Sequence, residues 1–91
     1  MKYYAVFLPM KDEEKSKVHR SEHLAYLEKM RKEGKIVANG RFTDGSGGLV
    51  IYQAESLEEA RRYAENDPYV QTGARGCEVH EWEMVSDRLR D

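Results

Sequence analysis

The chain has 91 residues, 40% of them hydrophobic and 35% charged, and its 15 basic and 17 acidic side chains give a formal net charge of −2. This composition predicts one small globular domain, residues 1–91, rather than two domains or a disordered chain. Charges so nearly balanced lack the basic stripe that binds a phosphate backbone, so nucleic acid is not expected as a partner. A chain of this length buries only about 60–65% of its unfolded surface, and association with a second copy would add stability.

The cysteine content and the hydropathy of the sequence predict the cellular compartment of the protein. The single cysteine, Cys77, excludes an intrachain disulfide framework, is compatible with a reducing compartment, and is predicted to be a buried structural thiol. The first apolar run, residues 3–8, is too short for a signal peptide and is followed by Pro9, and no later segment approaches the length of a membrane span. These features predict a cytoplasmic protein that does not associate with membranes.

The first predicted strand covers residues 2–8, which are rich in aromatic and β-favouring types. We expect it to end at Pro9, because proline has no N–H with which to continue a ladder. Apolar side chains alternate onto both of its faces, which is typical of a central strand that is covered on two sides.

The first predicted helix begins at Asp12, where acidic residues follow near the positive end of the helix dipole, and it runs to about Glu33. Gly34 then supplies the left-handed residue that ends it. The 3.6-residue period turns one face inward, and this face carries Leu24, Leu27, Met30 and His23. Arg20 lies one turn before the histidine.

Two strands and a glycine-rich connection follow. Residues 36–42 and 49–54 are predicted strands, and the stretch 43–48 between them is predicted to be the loop of a β-hairpin. This loop lacks the Gly-Lys-Ser/Thr ending of a phosphate loop and does not precede a helix. The sequence therefore predicts a flexible hairpin tip there rather than a phosphate site.

The last part of the chain predicts one more helix and one more strand. A capping box at residues 56–59 starts a helix that ends near Asn66 and is closed by Asp67-Pro68. Residues 77–85 return to β-type side chains and predict the final strand, which a charged tail, residues 86–91, follows.

The predicted order of elements is therefore β-α-β-β-α-β, an α+β ferredoxin-like arrangement. Right-handed crossovers put both helices on the same face of an antiparallel four-stranded sheet. The opposite face then needs cover, and a second copy of the chain is the simplest cover, with Trp82 or a tyrosine among its anchors. We therefore expect a homodimer formed through this face, and the alternative is a shallow ligand cleft there.

Four groups of residues form a recognisable series along the chain. They are Arg20-Ser21-Glu22-His23-Leu24-Ala25-Tyr26-Leu27, Glu33-Gly34-Lys35-Ile36 with Asn39-Gly40, Ser56-Leu57-Glu58-Glu59-Ala60, and Asn66-Asp67-Pro68-Tyr69-Val70. In this order and spacing the series resembles the YciI-like (YCII-related) family of small ferredoxin-like proteins, and it spans nearly the whole chain. The last group is the most specific of the four.

The resemblance implies a dimeric α+β barrel-like fold and a site that pairs a helix histidine with the aspartate of an Asp-Pro turn, here His23 and Asp67. The family is also similar to chloromuconolactone dehalogenases and muconolactone isomerases, which handle small cyclic anionic lactones. The chain departs from the common pattern at Arg41, where many relatives carry a proline, and at Ser21, where a proline often precedes the histidine by two. Substrate identity is therefore not carried over from any relative.

The candidate catalytic pair is His23 and Asp67. An imidazole with an unperturbed pKa of about 6.5 both takes and gives a proton at neutral pH, and a carboxylate beside it fixes the tautomer. The candidates for holding a substrate are Arg20, Arg41, Pro68 and Tyr69. Arg20 would hold a carboxylate, the phenol of Tyr69 would donate to a bound oxygen, and Arg41 either adds a cation or projects into solvent.

These residues together predict a small enzyme that performs acid–base chemistry on a small anionic molecule such as a lactone, without cofactor or metal. The reaction would be an isomerisation, an elimination or a dehalogenation. His19 lies four residues before His23, but the glutamate arrangement of a metalloprotease helix is missing. Three alternatives stay open: a packed histidine with a satisfied hydrogen bond, a noncatalytic metabolite-binding module, and a structural dimerisation domain.

Overall fold

The structure, a computed structural model, describes residues 1–87. Within them the chain forms β1 (Lys2–Pro9), α1 (Glu13–Val18), α2 (Arg20–Lys32), β2 (Ile36–Arg41), β3 (Gly47–Ala54), α3 (Leu57–Glu65), α4 (Pro68–Gln71) and β4 (Glu78–Trp82). Both predicted helix starts are confirmed. Asp12 caps α1 by accepting from the amide of Lys15 at 3.0 Å, and Ser56 caps α3 by accepting from the amide of Glu59 at 3.1 Å.

The strands form one antiparallel sheet in the order β2-β3-β1-β4. The central pair is β1 and β3, in which Tyr4 lies opposite Tyr52 and Val6 lies opposite Val50. The helices pack on one side of this sheet, so the predicted α+β ferredoxin-like topology is confirmed. No helix in residues 1–87 is long and apolar enough to span a membrane.

The hydrophobic core lies between the sheet and the helices. Every second residue of β1, namely Tyr4, Val6 and Leu8, points to this side and is fully or almost fully buried. The core also contains Val50 and Tyr52 of β3, Leu27 and Met30 of α2, and Ala60 and Ala64 of α3. Burying each large apolar side chain stabilises the fold by about 1.5–3 kcal/mol. This packing holds α2 against β1 and β3, where the cleft described below opens.

The opposite side of the sheet carries no helix within the described chain. We call this side the open face, and its residues include Tyr3, Ala5 and Phe7 of β1, Leu49 and Ile51 of β3, Phe42, and Trp82 of β4. Phe42 is 37% exposed and Trp82 is 42% exposed. The prediction that β1 is covered on both sides is therefore met on one side only within this chain.

The single helix predicted over residues 12–33 is wrong, because the segment forms two helices, α1 and α2, that separate at His19. In an unbroken helix the carbonyl of Ser16 would accept from the amide of Arg20. Here that carbonyl accepts from the phenol of Tyr69 at 2.9 Å, and His19 has φ −100° and ψ 11°. A contact between residues 53 positions apart accompanies the break, and no local pattern in the sequence marks it.

Several strand ends also differ from the prediction, and β2 ends at Arg41 while β3 begins at Gly47. β1 includes Pro9, which lies opposite Gly47 at the end of the ladder, where its missing N–H removes no interior bond. Gly47 has φ +147°, and a Cβ there would overlap the carbonyl of Leu8, so this start of β3 requires glycine. β4 ends at Trp82 rather than at residue 85, because Trp82 already lies opposite Tyr3, near the start of β1.

Three further features of the C-terminal part differ from the prediction or fall outside the described chain. The Asp-Pro turn that closes α3 also opens a short helix, α4, which was not predicted. Cys77 is half-buried rather than fully buried. Most of the predicted charged tail, residues 86–91, lies outside the described residues.

Candidate active site

A cleft of about 230 Å³ opens between α2 and the adjoining ends of β2 and β3. Its apolar wall includes Leu8, Leu24, Leu27 and Val50, and its polar groups are Arg20, His23, Asn39, Arg41, Tyr69 and Arg75. Three of these groups are arginines, and no aspartate or glutamate lines the cleft. Cationic side chains therefore predominate in the lining of the cleft, which favours an anionic ligand.

His23 and Asp67 meet at the inner end of this cleft. The Nδ1 of His23 lies 2.7 Å from Oδ1 of Asp67, and the two residues are 8% and 1% exposed. An ionised carboxylate only accepts hydrogen bonds, so the proton of a neutral imidazole is on Nδ1 and Nε2 carries a lone pair. The same Oδ1 accepts from the amide of Tyr69 at 2.9 Å, as the N-cap of α4. Oδ1 of Asp67 thus both caps α4 and accepts from the imidazole of His23, and the bond to α4 holds this oxygen in place.

Tyr69 forms one wall of the histidine site. Its ring stacks on the imidazole of His23, with centroids 3.8 Å apart and planes inclined by 9°. Its hydroxyl donates to the backbone carbonyl of Ser16 at 2.9 Å, and burial raises the pKa of this phenol above its ordinary value. The phenol was predicted to donate to a bound oxygen at the cleft rim, and the structure instead places it on Ser16. Tyr69 therefore contributes its ring face to the cleft rather than its hydroxyl.

Arg75 is a cleft residue that the sequence did not reveal. Its guanidinium carbon lies 4.6 Å from the centroid of the Tyr69 ring, and its Nε lies 3.3 Å from Oγ of Ser16. A single arginine between Gly73 and Gly76 in a predicted loop was the only local signal. The isolated bridge between Met10 and Arg75 brings this loop beside the end of β1.

Some of the remaining predicted residues line the cleft and others do not. Arg20 and Arg41 are exposed and line the cleft, and their role in holding a substrate stays a prediction. Pro68 is half-buried at the first position of α4 and is not among the lining residues, so the cleft geometry does not support its predicted substrate contact. Leu24 was predicted to be in the core, but it is 44% exposed and lies at the cleft.

None of the three arginines in the cleft is neutralised by a carboxylate within residues 1–87. The ion pairs of that part of the chain involve lysine and histidine side chains, such as Lys2 with Glu81 and Lys35 with Glu33. An arginine without a protein partner at a cleft keeps its full capacity to bind a ligand carboxylate through two parallel hydrogen bonds. The cleft therefore presents unshared positive charge beside a histidine.

The comparisons with known proteins bear on the family and on the fold. The YCII-related domain matches residues 1–83. The chain belongs to the YCII-related family. It is 30% identical over 82 residues to the uncharacterized protein YjpA of Bacillus subtilis (strain 168), which covers 90% of this chain and 96% of YjpA. The family resemblance predicted from the sequence is thereby confirmed.

A solved structure shares the fold of this YCII-related chain. It is the 5-chloro-2-hydroxyhydroquinone dehydrochlorinase (TftG) from Burkholderia phenoliruptrix AC1100, in complex with 2,5-dihydroxybenzoquinone. The TM-score is 0.77 at 24% sequence identity, over 91% of this chain and 95% of TftG. At this identity the likeness establishes the fold and leaves the chemistry to be argued from the residues themselves.

The carboxylate of Asp67 in this YCII-related protein lies among neutral groups on its buried side. Burial, with a further contribution from the charge of Asp67, raises the pKa of Tyr26 to about 12 and also raises the pKa of Tyr52. Both phenols therefore stay protonated at neutral pH. Within the described residues, Oδ2 of Asp67 and the hydroxyl of Tyr52 are buried without hydrogen-bond partners. His23 is thus the directly bonded titratable partner of this carboxylate.

Metal ligands are not clustered in the part of the chain that the structure describes. No group of three or more His, Cys, Asp or Glu side chains there is arranged to hold a metal ion. His19, which lies one turn from His23, has its Nδ1 3.1 Å from the carboxylate of Glu22.

Proposed function

We propose that this protein is a small enzyme that performs acid–base chemistry on a small anionic organic molecule, with His23 as the proton carrier. The observation that carries the proposal is the hydrogen-bonded pair of His23 and Asp67, at the end of a cleft that has three arginines and no acidic side chain. A buried carboxylate that orients an imidazole is the arrangement that general acid–base catalysis uses.

The proposed chemistry follows from the two nitrogens of the imidazole. Asp67 accepts the Nδ1 proton in a hydrogen bond, so Nε2 of His23 is the atom that takes a proton from the substrate, either from a ring hydroxyl or from a carbon next to a carbonyl. In an elimination, the electron pair of the broken O–H or C–H bond forms a C=O or C=C bond, and the leaving group departs with its own bonding pair. In an isomerisation, the same nitrogen returns the proton to another carbon of the enolate. In both cases the charge of Asp67 stabilises the imidazolium that forms.

Arg20 and Arg41 are proposed to stabilise the negative charge that develops on the substrate. Both line the cleft, and their guanidinium groups can form charge-assisted hydrogen bonds to an oxyanion. Tyr69 is a positioning residue in this scheme, because its ring stacks on the imidazole and restricts the rotation of that ring. Leu24 and Leu27 would contact the apolar part of the substrate.

The shared fold suggests which compounds to assay first. TftG is named as a dehydrochlorinase of a chlorinated hydroxyhydroquinone, and its bound compound has a single six-membered ring. The cleft of about 230 Å³ in this chain has room for one such ring. Chlorinated hydroxyhydroquinones and small unsaturated lactones are therefore the proposed first substrates.

The proposal is tested by comparing turnover of these compounds by the wild type, His23→Gln and Asp67→Asn. Loss of a general base lowers kcat by about 10²–10⁴-fold, so His23→Gln should be nearly inactive while the affinity for the compound is kept. The matched control is His80→Gln, which alters an exposed histidine on β4 and should leave turnover unchanged. Chloride release and ultraviolet absorbance follow the reaction.

Two results would contradict the proposal in different ways. If His23→Gln turned over the substrate at the wild-type rate, His23 would not be the proton carrier. If the wild type bound these compounds but converted none of them, the cleft would belong to the noncatalytic metabolite-binding module that the sequence left open.

We also propose that two copies associate through the open face. The support is the exposed aromatic surface of this face. Phe7 and Phe42 pack together with ring centroids 5.9 Å apart, and Phe42 and, near the other end of β1, Trp82 remain more than a third exposed. Large aromatic side chains of this kind are enriched in the buried centres of protein interfaces. A second copy would remove them from water.

A further inference from the structure

We infer that Arg75 binds a carboxylate of the ligand directly above Gly48. The inference rests on the proposed function in using the same cleft, but it concerns binding rather than proton transfer. It assigns a role to Arg75, a residue for which the sequence offered only a weak local signal.

Arg75 is half-buried and is held in place by contacts that leave its charge unshared. Ser16, which is 5% exposed, donates its hydroxyl proton to the carbonyl of Asp12 at 2.9 Å, so its oxygen is free to accept from Nε of Arg75 at 3.3 Å. The guanidinium also lies over the ring of Tyr69, which is a favourable cation–π arrangement. These contacts use Nε and the flat face of the group, so both terminal nitrogens can bind a carboxylate.

Gly48 forms the floor of the cleft below this guanidinium. A Cβ built at this position would lie 3.7 Å from Nη1 of Arg75, 3.7 Å from Cα of Arg41 and 3.0 Å from the carbonyl oxygen of Gly40. The φ of Gly48 is not positive, so its backbone conformation alone does not require glycine, but the carbonyl of Gly40 approaches too closely for an unstrained Cβ. The absent side chain permits this close approach of β2 to β3 and keeps open the space between the guanidinium of Arg75 and the backbone of Arg41.

Tyr69 lies between this subsite and His23. The imidazole centre is 3.8 Å from the ring centroid of Tyr69, and the guanidinium carbon of Arg75 is 4.6 Å from it. Because the imidazole stacks on one face of the ring, the guanidinium lies over the other face. The two groups are therefore no farther apart than these two distances placed end to end, and both border the same cleft.

The test is a binding measurement that needs no turnover. Benzoate, and benzamide as its uncharged analogue of the same shape, are titrated into the isotope-labelled full chain at constant ionic strength, and the amide of Gly48 and the Nε–H of Arg75 are followed by NMR. We expect benzoate to shift both signals and benzamide to bind at least tenfold more weakly. Arg75→Gln should weaken benzoate binding at least tenfold, and Arg75→Lys should weaken it less.

Two further variants make the test independent of the contact between Arg75 and Tyr69. Gly48→Ala keeps every charge and should still lose benzoate affinity, because its methyl group occupies the space for the carboxylate. Arg62→Gln, which removes an arginine from the exposed surface of α3, should bind benzoate as the wild type does. The amide spectra of all variants report whether the fold is retained.

Three results would overturn the inference: wild-type affinity in a folded Arg75→Gln or Gly48→Ala variant, equal binding of benzoate and benzamide, or no response of Gly48 and Arg75 to benzoate. The proposed function can fail separately. If His23→Gln kept full turnover while Arg75→Gln lost benzoate, only the catalytic role of His23 would be wrong. If His23→Gln were inactive while Arg75→Gln bound benzoate normally, only the subsite would be wrong.

Discussion

The two sides of the sheet are used differently. On the helix side, alternate residues of β1 such as Tyr4 and Val6 are completely buried, and the residues bonded to His23 are buried with them. On the open face, the neighbouring residues Tyr3 and Phe7 are only partly buried, and Trp82 is 42% exposed. One face of β1 thus contributes to the buried core, and its other face stays partly exposed. The candidate site depends on the buried face.

The largest expected effect of a single substitution is at Asp67, on the helix side. Asp67→Ala removes the cap of α4 and leaves the Nδ1–H of His23 and the amide of Tyr69 without their shared acceptor. Loss of a cap costs about 1 kcal/mol, and each buried donor left unpaired costs about 1–3 kcal/mol, so we expect a loss of about 3 kcal/mol. Urea denaturation at neutral pH measures the free energy of unfolding.

A matched aspartate sharpens this prediction. Asp12 caps α1 through a single exposed bond to the amide of Lys15, so Asp12→Ala should cost about 1 kcal/mol. Equal losses in the two variants would mean that the buried pair adds nothing to stability beyond an ordinary helix cap.

The next effect concerns the open face. If a second copy covers it, the double variant Phe42→Ser with Trp82→Ser should weaken dimer formation at least tenfold, because aromatic anchors at an interface each contribute about 2 kcal/mol or more. Sedimentation equilibrium across a range of protein concentrations measures the dissociation constant. The free energy of unfolding of the monomer should change little, since both side chains are more than a third exposed.

A control on the helix side distinguishes a specific interface from nonspecific hydrophobic association. Val18 is 66% exposed at the end of α1, so Val18→Ser also removes exposed apolar surface but should leave dimer formation unchanged. A wild-type chain that stayed monomeric at the highest concentration would contradict the role proposed for the open face.

The smallest expected effect compares two buried tyrosines. The hydroxyl of Tyr69 donates to the carbonyl of Ser16, so Tyr69→Phe should lower the free energy of unfolding by about 1 kcal/mol. The hydroxyl of Tyr52 is buried without a partner among the described residues, so Tyr52→Phe should be neutral or stabilise the protein by up to about 1 kcal/mol. Thermal and urea unfolding of both variants test this difference, and an equal loss in both would contradict it.

Much of the fold could be predicted because it follows from short-range patterns. The two-residue alternation of β1 and the capping residues Asp12 and Ser56 are visible in the sequence, and the structure places strands and helices there. The break at His19 was not predicted, because the segment around it contains neither glycine nor proline, the residues that usually mark a helix break. The short helix α4 was missed for another reason: Asp67-Pro68 signals a stop and a start equally well.

Part of the candidate site could likewise be predicted from the sequence, and part could not. His23 and Asp67 were singled out from the sequence, and the structure brings them within hydrogen-bond distance. Arg75 was not singled out, and the hydroxyl of Tyr69 was assigned to the wrong partner, since Ser16 holds it. An arginine in a glycine-containing loop looks the same in a sequence whether it points to solvent or into a cleft.

Local pattern alone accounts for the four strands and for the helical segments after β1 and β3, because periodicity, caps and turn residues act over a few neighbouring positions. The charge and shape of the cleft arose only when the chain folded. The contacts of Ser16 with Tyr69 and Arg75 join residues 53 and 59 positions apart, and such pairs leave no periodic trace in a single sequence. Packing of α2 and the loop after α4 against the sheet is what brings these groups together.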